Sequence, residues 1–168
     1  LVFTGADMII DCAILARESN VTIQTSGHAN WPLLIGEYNT PGFSLTDREL
    51  DFVNTTSRLA LGSMQTSSLE FAGVSYDGWT EHLDIIAKNL IAFNGPATTL
   101  QARSRTQLNC KDDILVHSNL TVDSTLLIWG DFDCSGVGTI NVTSRGSIDS
   151  LNHDIQFHAL DSFVMGPV

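Results

Sequence analysis

Thr80-Glu81-His82-Leu83-Asp84-Ile85-Ile86-Ala87-Lys88-Asn89-Leu90-Ile91-Ala92-Phe93, followed by Asn94-Gly95-Pro96, is the stretch whose reading decides the fold. Taken alone it is the best amphipathic helix in the chain. Leu83, Ile86, Ala87, Leu90 and Ile91 fall at helical spacing, Thr80 is a capping residue type, and Asn94-Gly95-Pro96 would stop the helix. Comparison of the chain with itself favours another reading. The frame Asp-(Met/Ile)-x-(Ile/Val/Phe/Ala) recurs at Asp7, Asp84, Asp113 and Asp154. About a dozen residues after the first three comes a second alternating piece, at 20–23, 98–101 and 124–128. One turn, one strand, one turn, one strand is the unit of stacked coils, so residues 84–93 read as strand.

The rest of the chain agrees with an all-β reading. Period-two alternation marks short strands at 20–25, 69–74, 113–117, 139–144 and 154–158, separated by Gly, Asn and Asp turns. Ser and Thr together number 32, and β-branched and turn-forming residues on this scale suit a chain of many short strands. A single helical candidate survives at 46–53, where Thr46-Asp47-Arg48-Glu49 fits a capping box, so one or two short helices at most are expected. Residues 30–43, with Trp31-Pro32 and Tyr38-Asn39-Thr40-Pro41-Gly42-Phe43, have no clean strand period and read as a loop insertion. At a repeat of roughly 20–25 residues per coil, the 168 residues give one β-solenoid domain of about seven coils, near 35 Å long at the strand spacing. The chain reads as a fragment or processed part of a longer product.

Composition narrows the function. The 168 residues carry 19 acidic against 8 basic side chains, a formal net charge of −11, which would repel a nucleic-acid backbone. Hydrophobic residues make up 43%, too many for disorder, and no apolar run reaches the roughly 20 residues of a membrane span.

The segment Leu45-Thr46-Asp47-Arg48-Glu49-Leu50-Asp51-Phe52-Val53, followed by Ser57-Arg58-Leu59-Ala60-Leu61-Gly62-Ser63, resembles the linker repeated in filamentous-haemagglutinin-like bacterial adhesins and related large surface proteins. The stretch from Trp129-Gly130-Asp131-Phe132-Asp133-Cys134-Ser135-Gly136 to Val142, then Gly146-Ser147-Ile148-Asp149-Ser150, resembles their continuation. The resemblance covers roughly residues 44–163 and implies a right-handed parallel β-helix on an extracellular, shaft-like protein that displays or extends. The expected function is therefore a non-enzymatic structural subunit of a fibre, filament or surface appendage, whose partner is itself. An adhesin or module binding cell-surface or environmental glycans is the second reading, and a polysaccharide lyase or hydrolase the third.

Individual residues supply candidates. Asn20, Asn54, Asn119 and Asn141 each head an N-x-[ST] sequon, which marks glycosylation candidates of a secreted protein, although Thr at these places also suits a strand. Asp131-x-Asp133-x-Ser135-Gly136 has the alternating oxygens of a Ca²⁺ loop, or of a turn whose Asp side chains bond their own backbone. No other cofactor is suggested. Cys12, Cys110 and Cys134 are either buried thiols or one bridge, Cys110–Cys134, plus a free thiol. An enzyme would draw on Asp112-Asp113 with Arg103 and Arg105, but the chain has no neighbouring motif of that chemistry and no Gly-x-Ser-x-Gly elbow. The five His residues (28, 82, 117, 153 and 158) lack metal-ligand spacing. Trp31, Tyr38, Phe43, Tyr76 and Trp79, large amphipathic rings in the loops at 30–43 and 75–82, are assembly-contact candidates that would equally suit sugar stacking.

Overall fold

The computed structural model describes residues 1–5, 8–26, 31–37, 43–159 and 162–165; Asp7, His28 and Tyr38 of the expectations above lie outside them. The chain is all-β with a single short helix among the described residues. The elements run β1 (Val2–Gly5), β2 (Ile14–Ala16), β3 (Val21–Thr25), β4 (Leu33–Gly36), β5 (Phe43–Leu45), α1 (Asp47–Asp51), β6 (Val53–Thr55), β7 (Arg58–Gly62) and β8 (Ser68–Ala72). They continue with β9 (Ser75–Tyr76), β10 (His82–Ala87), β11 (Leu90–Phe93), β12 (Thr98–Cys110), β13 (Asp113–Val116), β14 (Asn119–Gly130), β15 (Thr139–Val142), β16 (Ser147–Asp149), β17 (Ile155–His158) and β18 (Ser162–Met165).

Every strand pairing among the described residues is parallel. The chain visits two large sheets in turn: β3, β7, β10, β12, β14 and β17 belong to one, β4, β8, β11, β13, β15 and β18 to the other. The disputed segment is strand, divided into β10 and β11 by a turn at Lys88-Asn89. Of its apparent helical face, Leu83 and Ala87 point inward from the first sheet and Ile91 from the second, together with Ile85 and Phe93, while Ile86 and Leu90 are only half-buried. An alternation that restarts after a two-residue turn imitates a 3.6-residue period.

Register gives the true repeat. Leu69, Ile91, Ile114, Ile140 and Phe163 stand in one row, 22, 23, 26 and 23 residues apart. The Asp frame seen in the sequence does not mark equivalent places. Asp84 lies within β10, Asp113 opens β13 in the other sheet, and Asp154 precedes β17.

The two longest strands each turn a corner. Thr98–Gln101 of β12 pair with 120–123 of β14, Arg105–Cys110 pair with 125–130, and the register shifts between them. The first halves also take β9 and β16 as neighbours, while the second halves take β10 and β17. A short third face is thereby formed beside the first sheet, and β2 and β6 make their own pair.

A single apolar cluster fills the space between the faces, and each described strand from β3 to β15 contributes to it. Of the expected loop at 30–43, the described residues 31–37 and 43 include β4 and the start of β5. β5 pairs with the outer edge of β4, sending Phe43 and Leu45 inward, and α1 buries Leu50 completely. Phe43 is accordingly a core residue and not an assembly contact. The helix begins as its sequence indicates. Thr46 Oγ1 accepts from the Glu49 backbone N–H, and the Glu49 carboxylate accepts from the Thr46 N–H at 2.8 Å and from the Ile10 N–H at 3.2 Å. Burial opposes the Glu49 charge, but these donors outweigh it and hold the group below the usual carboxylate range.

Candidate functional site

The corner between the third face and the first sheet displays the most exposed aromatic side chain among the described residues, Trp79, which is 65% exposed. Its neighbours fix it. Thr80, next in sequence, is fully buried; its hydroxyl accepts from the Leu59 N–H at 3.2 Å and lies 2.9 Å from the His82 carbonyl. Tyr76, three residues earlier, is buried too, and the Gly78 backbone lies so close to its ring that a Cβ there would sit 2.0 Å from Cζ. Tyr76 is therefore an anchor under the loop and not an assembly contact. Burial, with Asp51 and Asp77 close by, pushes its phenol well above the ordinary value.

Trp79 is the shared wall of two grooves. The larger, about 360 Å³, is formed with Leu15, Ala16 and Arg17 of the β2 region and Asn54, Thr55 and Thr56 of the β6 region. The smaller, about 280 Å³, is formed with Asp77, Gly78, Gln101 and Arg103. The Arg103 guanidinium lies 4.9 Å from the indole centroid. Sequence reasoning singled out Trp79 but missed the side chains gathered around it. They come together because 16–17, 55–56, 79–81, 103–104 and 123–124 occupy the same corner in successive passes, an equivalence visible only in the register.

The other candidates fall elsewhere. Trp31, 45% exposed, precedes β4. Asn20 and Asn119 are exposed, and their side-chain oxygens accept from Ser57 and Ser147. Asn54 and Asn141 are half-buried on β6 and β15.

Asp131, at 3% exposure, spends its carboxylate on its own turn. One oxygen accepts from the Ser135 N–H at 2.7 Å and from the Ser135 hydroxyl at 3.1 Å, and the other accepts from the Gly136 N–H at 2.9 Å. Asp133 faces Lys111 at 3.2 Å. Of the two readings of this loop, the geometry is that of the self-bonded turn. Replacing Asp131 with Asn is expected to cost about 1–3 kcal/mol, because one buried donor loses its acceptor. The melting midpoint should be the same in Ca²⁺ and in EDTA; a midpoint raised by Ca²⁺, or one that Asp131→Asn leaves unchanged, would overturn this assignment.

The bridge Cys110–Cys134 is not formed; all three cysteines are free. Cys110 points into the core on the inward row of β12, between Ala87 and Gly130, whereas Cys134 sits exposed in the turn after β14. Burial, with the charges of Asp112 and Asp113 nearby, pushes the Cys110 thiol up to about 12, so it stays protonated and unreactive.

The paired carboxylates and arginines do not meet. Arg105 begins the second half of β12, while Asp112 and Asp113 follow its far end, about 17 Å along the strand. The Asp113 carboxylate is occupied by the Thr139 N–H and hydroxyl, at 3.0 and 2.8 Å. Among the described residues no three His, Cys, Asp or Glu side chains are grouped to hold a metal ion. No helix of the described residues is long and apolar enough to cross a membrane. A scan against protein-family models found no match, and neither curated proteins nor solved structures gave one.

Proposed function

We propose that this chain is a non-enzymatic, extracellular β-solenoid element of a fibre or surface appendage, extended by end-to-end stacking of its coils. The observation that carries the reading is that both ends leave strand edges without partners among the described residues. At one end β1 and β5 are the last strands of the two large sheets, with Leu1 and Val2 exposed. At the other, β16, β17 and β18 leave a cavity of about 470 Å³ lined by Ile148, Ile155, Phe157, Phe163 and Met165. Phe157 and Phe163, with ring centroids 4.6 Å apart, are 39% and 42% exposed. The rows that end there (Ile140–Phe163, Val142–Met165 and Ile128–Phe157) continue the inward rows of the core. Another parallel coil laid on these edges would extend every row and satisfy the unpaired strand edge.

A right-handed coil is the form favoured for parallel strands joined by crossovers. The resemblance of 45–63 to filamentous-haemagglutinin-like linkers and of 129–150 to their continuation, with the four sequons, supports an extracellular shaft. In electron micrographs and multi-angle light scattering, the protein is expected to associate end to end as concentration rises. The double substitution Phe157→Lys, Phe163→Lys should hold it monomeric and still folded, at a loss of about 1.5 kcal/mol or less for each half-exposed ring. A native chain that stays monomeric at high concentration removes the assembly reading.

A further inference from the structure

We propose that the larger groove beside Trp79 binds an acidic saccharide, a pyranose ring lying on the indole and its carboxylate meeting Arg17. The inference is independent of how the chain assembles, because the groove lies on the lateral corner and uses none of the residues of the open end.

The first support is the indole itself. An exposed Trp held between a buried Tyr76 and a buried Thr80 is presented rigidly, so little is lost in ordering it when a ligand arrives. A sugar ring offers such a plate a face of C–H groups and a rim of hydroxyls, a match for a flat apolar wall with polar flanks. The flanks are present and already fixed. The Asn54 amide donates to the Asp51 carbonyl at 3.0 Å, which leaves its oxygen free to accept from a hydroxyl. The Thr56 hydroxyl accepts from the Glu18 N–H at 3.0 Å and keeps its own proton to donate. Leu15, 68% exposed, adds an apolar floor that no part of the described chain covers.

Charge supplies the class of sugar. The chain has only 8 basic residues against 19 acidic, and two of the 8 are held in ion pairs. Arg58 pairs with Asp84 and Lys111 with Asp133, but among the described residues neither Arg17 nor Arg103 makes an ion pair. Arg103 lies over Trp79 in the smaller groove, and Arg17 lines the larger groove with it. Arg17 is the one ionisable side chain lining the larger groove, and it is the group there that can meet an anion. A guanidinium meets a carboxylate with two parallel hydrogen bonds, which a neutral sugar cannot return.

The test is calorimetric titration of the protein, produced without glycosylation so that Asn54 carries no sugar, with tetragalacturonate, tetramannuronate and a hyaluronan tetrasaccharide. Cellotetraose serves as the neutral counterpart. At least one acidic oligosaccharide is expected to bind saturably and to bind better than cellotetraose. Trp79→Ala should weaken that binding about tenfold, and Trp79→Phe should restore part of it. Arg17→Gln should weaken the acidic sugar severalfold and leave the neutral one unchanged. Trp79 and Arg17 are both exposed, so the variants should melt as the parent does, which separates loss of a ligand contact from loss of fold. The proposal fails if none of the three acidic sugars binds, if binding survives both substitutions, or if cellotetraose binds equally well.

Discussion

Replacing Phe93 with alanine is expected to lower the unfolding free energy by about 3–5 kcal/mol, among the largest effects open to a single side chain in this fold. Phe93 is fully buried and stacks on Phe71 with centroids 4.9 Å apart and ring planes within 11°. The two rings sit in the inward row Ile35, Phe71, Phe93, Val116, Val142, Met165. Removing the ring costs its burial, the aromatic contact and the energy of the cavity left between rows that parallel hydrogen bonds hold at fixed spacing. At roughly 2–4 °C per kcal/mol, the melting midpoint should fall by about 6–20 °C. The same change at Phe163, 42% exposed at the open end, should cost about 1.5 kcal/mol or less. Equal losses at the two positions, measured by denaturant titration with circular dichroism, would sink the assignment of interior and end.

That contrast also shows what the sequence made legible. Alternation exposed β3, β8, β13 and β15, because each lies in a parallel ladder with one face on the core; β17, marked by the same alternation, is largely exposed. The capping box at Thr46–Glu49 announced α1 for a local reason, since its bonds join residues three apart. The failures share a different cause. Phe43 and Tyr76 stand beside Gly and Asp in segments without period, and only the pairing of β5 with β4 and of β9 with β12 turns them inward. The corner in β12 is likewise invisible locally. Thr98 to Cys110 reads as one stretch, and the register shift after Gln101 becomes evident only against β14.

The candidate site was legible only in part for the same reason. Trp79 could be suspected from its residue type and its loop, but Arg17 and Arg103 lie 62 residues before it and 24 after it. Nothing in a single sequence links three positions at such separations except the repeat itself, and the Asp frame located that repeat wrongly. Aligned by register, 16–17, 55–56, 79–81 and 103–104 give the corner column with both arginines in it.

Gly62→Ala is expected to be as damaging as the loss of an aromatic ring, although it adds one methyl group to a position at the end of a strand. Gly62 closes β7 with φ +80, a conformation that strains any side-chain-bearing residue. Space is the stronger objection. A Cβ built there would stand 2.1 Å from the carbonyl oxygen of Ile86, its register partner on β10, and 3.0 Å from Leu69 Cδ1. The oxygen belongs to backbone and cannot rotate away, so the added methyl must push β7 and β10 apart at their ends. Gly36 repeats the arrangement in the other sheet, with φ +107 and a Cβ position 2.0 Å from the carbonyl oxygen of its own partner, Ala72. Both glycines let one pass of the chain leave its strand directly beneath the next. Backbone strain and forced separation together should cost roughly 2–5 kcal/mol. Gly136→Ala provides the control: φ is +81 there too, but nothing lies within 4 Å of the added carbon, so only the strain applies and the loss should stay near 1 kcal/mol. If thermal melts place Gly62→Ala and Gly136→Ala at the same midpoint, close approach between passes is not what selects glycine, and the tight parallel stacking argued from it is wrong.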